Sequence, residues 1–156
     1  MKLYKYIILG FISIFIISSC DLQRVYEENS AIENEKWELK TTFKHGFTIP
    51  DTLQLYNMYI NIRNTVDYQY SNLYLFVTTD FPNGQKAKDT LECILANKEG
   101  KWFGKGNGRI KDCKILFKPK FRFAKQGKYT LTIQHAMRDN VLSGISDIGI
   151  RLEKYN

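Results

Sequence analysis

The chain has 156 residues, a formal net charge of +7 and 44% hydrophobic residues, which is the size of one domain with enough apolar material for a real core. The charge excess is modest and scattered, and with an export signal in front of it the chain does not read as a nucleic-acid binder.

Residues 1–19 read as a secretory signal peptide. Lys2 and Lys5 give a positive start, Ile7 to Ile17 form an apolar run, and the small residues Ser18 and Ser19 lead into Cys20. That order matches an export signal with roughly 7–15 apolar residues. It falls short of the about 20 residues a helix needs to span a bilayer. Ile17-Ser18-Ser19-Cys20 resembles the bacterial lipobox, an aliphatic residue and two small ones before cysteine. The small side chains let the backbone lie extended in a peptidase groove, and the Cys20 thiol accepts a diacylglycerol. The expectation is cleavage before Cys20 and a membrane anchor of two or more acyl chains, each buried methylene contributing about 0.8 kcal/mol. Residues 20–35 are polar apart from Leu22, Val25, Tyr26, Ala31 and Ile32. They read as the lipidated N-terminus and a tether, which leaves 36–156 for the folded domain.

From Trp37 onward the pattern is short runs of period-two alternation. Trp37, Leu39, Thr41 and Phe43 mark a first strand, interrupted by His45-Gly46 and Pro50-Asp51. Leu53 to Arg63 is a long strand with Tyr56, Met58, Ile60 and Ile62 on one face. Asn64 to Asp67 turns the chain, and Leu73 to Thr79 returns it. Phe81-Pro82-Asn83-Gly84 carries turn chemistry, since proline fixes φ and Asn-Gly tolerates positive φ. Thr90 to Ala96 follows, then Trp102-Phe103, then Lys114 to Pro119 and Phe121 to Phe123 as one broken or two short strands. Tyr129, Leu131 and Ile133 show the clearest alternation, and Ile148, Ile150 and Leu152 close the set. About eight such strands without an amphipathic helix predict an all-β chain, a single antiparallel β-sandwich of jelly-roll or immunoglobulin-like topology.

Lys114, Lys118, Lys120, Arg122, Lys125 and Lys128 form the densest basic stretch and alternate with Ile115, Phe117, Phe121 and Phe123. A lysine-rich strand face most often serves solvation or edge protection; contact with membrane headgroups or a polyanion is the sharper alternative. Cys93 and Cys113 remain after lipidation. Export permits a disulfide between them, and two buried free thiols are the equal alternative. His45 and His135 lack partners at metal-ligand spacing, so each reads as a core or surface histidine and no metal or cofactor is expected. Ser143-Gly144 lacks the glycine-flanked elbow of hydrolases. Gly104-Lys105-Gly106-Asn107-Gly108 lacks a phosphate-loop ending and reads as a hairpin or bulge. Asp89 and Glu92, three apart in a strand, point to opposite faces and make no glycosidase pair. The chain is therefore read as no enzyme. Trp102 and Phe103 beside the glycines could form a platform that stacks on sugars, with core packing as the blander role. Arg63, Arg138 and Arg151 could pair with nearby acids or present a partner-binding face.

Many phrases together carry a family resemblance: Cys20-Asp21 with Val25-Tyr26, Tyr56-Asn57-Met58-Tyr59-Ile60-Asn61-Ile62-Arg63-Asn64, Ser71-Asn72-Leu73, Phe81-Pro82-Asn83-Gly84 and Asp89-Thr90-Leu91-Glu92, followed by Gly100-Lys101-Trp102-Phe103-Gly104-Lys105-Gly106, Gln134-His135-Ala136-Met137-Arg138 and the stretch from Gly144 to Glu153. From Cys20 almost to its end the chain resembles the gliding motility lipoprotein family GldH of Bacteroidetes. The resemblance implies a cell-envelope lipoprotein that supports gliding and the associated type IX secretion machinery through other envelope proteins. It supplies no catalytic residue and transfers only lipidation, onto Cys20. The leaflet expected is the outer membrane, facing the periplasm. The rival function is a glycan-binding envelope lipoprotein using Trp102 and Phe103.

Overall fold

The computed structural model describes residues 21–155. The predicted signal peptide and Cys20 lie outside the described residues. Ten strands follow in chain order: β1 (Arg24–Ala31), β2 (Lys36–Glu38), β3 (Phe43–Ile49), β4 (Tyr56–Thr65), β5 (Asn72–Asp80), β6 (Lys86–Ile94), β7 (Ile110–Phe121), β8 (Gly127–His135), β9 (Val141–Ser143) and β10 (Ile145–Lys154). A single 3-10 turn at Glu33–Glu35 is the one helical element among the described residues.

Two four-stranded antiparallel sheets form the sandwich, in the orders β1-β10-β4-β7 and β3-β8-β5-β6, with a small β2-β9 pair beside them. Setting that pair aside, the eight remaining strands taken in sequence fall as 1-8-3-6 and 2-7-4-5. This is the jelly roll, in which two Greek keys wrap a hairpin-like ribbon into facing sheets. Of the two topologies left open by the sequence, the chain adopts this one.

The core follows from alternation. On β4, Tyr56, Met58, Ile60 and Ile62 are buried while Asn57, Tyr59, Asn61 and Arg63 point outward. On β10, Ile148, Ile150 and Leu152 face the same interior, and β8 adds Tyr129, Leu131 and Ile133 from the opposite sheet. Each such side chain contributes roughly 1.5–3 kcal/mol by leaving water. One end of the core is aromatic: Phe123 packs against Tyr129, Phe121 and Tyr56 with ring centroids 4.7, 4.8 and 5.4 Å away.

Four elements differ from the sequence-based expectation. The expected tether contains β1, which pairs along its length with β10 from Arg24↔Glu153 to Ala31↔Asp147. Its core side holds only Tyr26, which packs on Phe47 at 5.5 Å, so an edge strand with a polar outer face left no alternation to read. The expected first strand divides into β2 and β3, and His45-Gly46 lies within β3 because the imidazole is buried. Lys114 to Phe121 belongs to one strand, bulged opposite Tyr56, Met58 and Tyr59; β7 is a sheet edge, where Pro119 removes no needed donor. Trp102 makes only an isolated bridge to Ala96.

Candidate functional site

The outer face of the β1-β10-β4-β7 sheet is polar and concave. The residues that alternate out of the core there are Glu27 and Asn29 from β1, Asp147, Gly149 and Arg151 from β10, Asn61 and Arg63 from β4, and Asp112 and Lys114 from β7. All of these except Gly149 line a groove of about 560 Å³, to which Phe103 and Lys105 also contribute.

Gly149 brings β1 and β10 together beside the groove. A Cβ there would stand 2.1 Å from Asn29 Oδ1 and 2.3 Å from the Glu28 carbonyl. β1 can approach this closely only because the side chain is missing. Across this gap the Asn61 amide donates to Glu27 Oε1 at 2.9 Å and to Asn29 Oδ1 at 3.1 Å. On one wall Arg63 Nε donates to Asp112 Oδ1 at 2.5 Å, with Asp147 3.9 Å from its other arm. On the opposite wall Arg151 donates to Glu27 and Glu153, each at 2.6 Å, and to Asp21. Lys114 reaches Glu153 at 3.0 Å and lies 4.4 Å from the Tyr59 ring centre.

These contacts fix the charges. Burial pushes the Glu153 carboxyl up, but hydrogen bonds from Arg151 and Lys114 outweigh it and hold the group below the usual carboxylate range. Glu27 behaves the same way through Arg24, Arg151 and Asn61. The Asp112 contact raises the Arg63 guanidinium above its ordinary value. Side chains locked in this manner present a fixed pattern of donors and acceptors without further ordering cost.

Phe103 supplies the apolar element. Its ring is 62% exposed, while its backbone N–H donates to the Leu95 carbonyl at 2.9 Å. The following glycine segment is a hairpin, with Lys105 and Asp112 exchanging hydrogen bonds of 2.9 and 2.8 Å. Gly104 sits against β7 so closely that a Cβ would meet Cys113 Sγ at 2.8 Å.

Of the residues singled out from the sequence, Arg63, Arg151 and Phe103 thus meet in one groove. Trp102 does not join them. As neighbours on extended backbone, Trp102 and Phe103 project to opposite sides, and the indole is half-buried beside Tyr68 at 6.4 Å. The two rings therefore present no joint platform. Arg138 is exposed in the turn between β8 and β9, away from the groove. Sequence reasoning missed Glu27, Asn29, Asn61, Asp112 and Gly149; the glycine between Ile148 and Ile150 was the available signal, since an isolated glycine in a strand marks close approach.

Cys93 and Cys113 are free buried thiols, so the bridge considered from the sequence is not formed. They come from facing sheets, Cys93 from β6 and Cys113 from β7. Burial, with Cys113 nearby, pushes the Cys93 thiol up to about 12, so it is protonated and inert at neutral pH. Among the described residues no group of three or more His, Cys, Asp or Glu is placed to hold a metal ion.

His45 and His135 are fully buried, and no ring nitrogen of either has a hydrogen-bond partner among the described residues. Burial lowers both from the ordinary histidine value, against an opposing pull from Glu28 on His45 and from Trp37 and Asp139 on His135. The unfolded chain then binds protons first as pH falls. Stability is complete above the unfolded value of about 6.5 and declines below it toward the folded-state values, by up to about 1.4 kcal/mol per pH unit per histidine. Thermal melts from neutral to mildly acidic pH are expected to show this loss, with a shallower slope in His135→Phe. A flat profile down to the carboxylate range would contradict the buried neutral imidazoles.

Comparison with known sequences places this architecture. The model of the GldH lipoprotein family matches residues 24–152. The chain belongs to the GldH lipoprotein family. The matched region starts on the first residue of β1 and ends within β10, so what this GldH-family chain shares with the family is the sandwich itself. It is 39% identical over 149 residues to a gliding motility lipoprotein GldH homolog of Christiangramia forsetii, covering 91% of each chain. It is 32% identical over 146 residues to the gliding motility lipoprotein GldH of Flavobacterium johnsoniae, covering 89% of this chain and 90% of that one. Among solved structures it is similar to part of a family GH115 4-O-methyl-α-glucuronidase with specificity for decorated arabinogalactans (TM-score 0.47, 13% identity, 88% of this chain and 18% of that). It is also similar to part of dimeric latent PorU from Porphyromonas gingivalis (TM-score 0.36, 11% identity, 88% of this chain and 14% of that). In the GldH-family chain the groove draws on β1, β4, β7 and β10, which all lie within the matched region.

Proposed function

We propose that this GldH-family chain is held on a cell-envelope membrane by acyl chains on Cys20 and supports gliding motility and the associated type IX secretion machinery through protein contacts, without catalysis of its own. The membrane proposed is the outer one, with the domain facing the periplasm. Both curated relatives are named for gliding motility. The observation that carries the contact reading is the groove: preset ion pairs and polar side chains line it together with the exposed Phe103 ring. Interface hot spots have this composition, an aromatic or arginine anchor surrounded by fixed polar groups.

The test is affinity purification of the lipidated protein from its own envelope, beside Cys20→Ala and the double variant Arg63→Glu/Phe103→Ala. Motility or secretion components are expected to co-purify with the parent chain. Recovery should fall at least roughly ten-fold with the groove variant, as loss of a hot spot implies, and palmitate labelling should vanish in Cys20→Ala. Undiminished recovery with the groove variant would move the contact elsewhere on the molecule. Recovery of polysaccharide alone would replace the reading with glycan binding.

A further inference from the structure

The chain leaves almost no slack between its anchor residue and its sheet. The Gln23 carbonyl accepts a hydrogen bond from Lys154 N–H at 2.8 Å, the Asp21 carbonyl accepts one from Arg24 N–H at 3.2 Å, and the Asp21 carboxylate is held by Arg151. Gln23 is the third residue after Cys20, a reach of about 10 Å when fully extended. The Debye length at physiological ionic strength is about 8 Å. That reach is comparable with the Debye length, so a domain anchored at Cys20 can bring one end within electrostatic range of the lipid headgroups.

That end can be identified from its contacts. Tyr155 N–H donates to the Leu55 carbonyl at 2.8 Å, and Gln54 donates to the Tyr155 carbonyl at 3.1 Å. Lys120 lies 4.6 Å from the Tyr155 ring centre, and Tyr56 is in register with both Phe121 and Lys154. Residues 21–24, 50–55, 119–128 and 154–155 thus share one end of the jelly roll.

Its surface combines exposed bases with projecting apolar side chains. Lys120, Arg122, Lys125, Lys128 and Lys154 are all exposed and make no ion pair among the described residues. Unpaired bases such as Lys105 at the groove and Lys98 and Lys101 before it occur elsewhere too; what marks this end is that its bases lie beside the anchor and beside projecting leucines. Leu22 and Leu53 are also the most exposed large apolar side chains, at 87% and 78%. Leu53 is presented by a turn in which Asp51 accepts its backbone N–H at 2.7 Å. Projecting leucines within a field of unpaired bases, next to an acyl anchor, are the makings of a lipid-facing surface.

We propose that this end docks on anionic phospholipid, with Leu22 and Leu53 entering the headgroup layer and the five unpaired bases meeting the phosphates. The inference rests on acylation of Cys20 and is independent of the motility reading. The test uses the full lipidated chain in vesicles carrying nitroxide headgroup lipids, with an environment-sensitive fluorophore on Leu53→Cys or, at the far end, on Asn107→Cys; Cys93 and Cys113 are buried and stay unlabelled. In phosphatidylglycerol vesicles the Leu53 probe should be quenched and the Asn107 probe should not. The docked-to-free ratio should fall roughly five-fold for each base removed, about a hundred-fold in Lys120→Gln/Arg122→Gln/Lys125→Gln. A Leu53 probe quenched no more than the Asn107 probe would overturn the docking. Equal quenching in pure phosphatidylcholine would overturn the assignment to anionic lipid. Mass spectrometry of the acylated N-terminus in the same sample reports the anchor separately, so a domain that stands clear on an acylated chain counts against docking alone.

Discussion

Replacing Trp37 by alanine is expected to destabilise the fold by about 3–5 kcal/mol, the range for deleting a large buried aromatic. Trp37 is completely buried. Its indole N–H donates to the Thr41 carbonyl at 3.0 Å, and its ring meets Phe43 and His135 edge-on, both at 5.4 Å. The side chain thus plugs the end of the core opposite Phe123 and ties the β2-β9 pair to the β3-β8 strands. Alanine would leave a cavity flanked by two aromatic rings and strip the Thr41 carbonyl of its donor. Equilibrium urea unfolding checks this through the midpoint at constant slope. Trp37→Phe should recover the larger part of the loss, because it restores ring contacts without the N–H. A cost below about 1 kcal/mol for alanine would mean that the small pair contributes little to the cooperative fold.

The second large effect is expected at Arg151. Its side chain is only 13% exposed and lies against Glu153, 10% exposed, as well as Glu27 and Asp21. Removing the cation leaves carboxylates crowded together with no counter-charge, which for buried pairs costs about 3–5 kcal/mol. Partial exposure of Glu27 brings the expectation for Arg151→Ala to about 3 kcal/mol. The pH dependence provides a check on the cause. Glu27 and Glu153 lie below their ordinary values in the folded chain. Their contribution is therefore present above the unfolded carboxylate range, about 4.3, and lost as pH falls through the folded values. The gap between parent and variant should consequently narrow in acid. A gap of constant size would mean that the loss comes from packing of the arginine stem. Hydrogen exchange should show the same variant loosening β1 before any other strand, because Arg151 joins β10 to Asp21 and Glu27 on the N-terminal segment.

Much of this molecule was legible in its sequence, and the failures share a cause. β4, β5, β8 and β10 could be read because each buries one face, and a buried face enforces alternation. β1 could not be read, because its outward residues cover a polar groove and its inward face adds one tyrosine at a sheet edge. The β2-β3 break was hidden by Phe43, which continues the alternation begun at Trp37 while belonging to a different sheet. For the site, Arg63, Arg151 and Phe103 stood out as charged or aromatic residues in strand-like stretches, whereas Asn29, Asn61 and Gly149 did not. Those three act through register: only the pairing of Asn29 with Gly149 and of Gly149 with Asn61 brings them together. Spacing along one strand carries no information about which residues face it across a jelly roll, and the choice between jelly-roll and immunoglobulin-like order is hidden for the same reason.

The antiparallel pairing of the first strand with the last bears on how the chain would carry mechanical load. Tension on an anchor at Cys20 would enter at the start of β1 and act along that strand. Ladder hydrogen bonds lie perpendicular to the strands, so a pull in this direction shears the bonds between Arg24 and Ala31 together instead of unzipping them singly. The Arg151 contacts to Asp21 and Glu27 bolt the loaded end of the same joint. Because β10 also lines the groove through Asp147 and Arg151, a force applied there by a partner would reach the membrane through this one shear joint without crossing the hydrophobic interior.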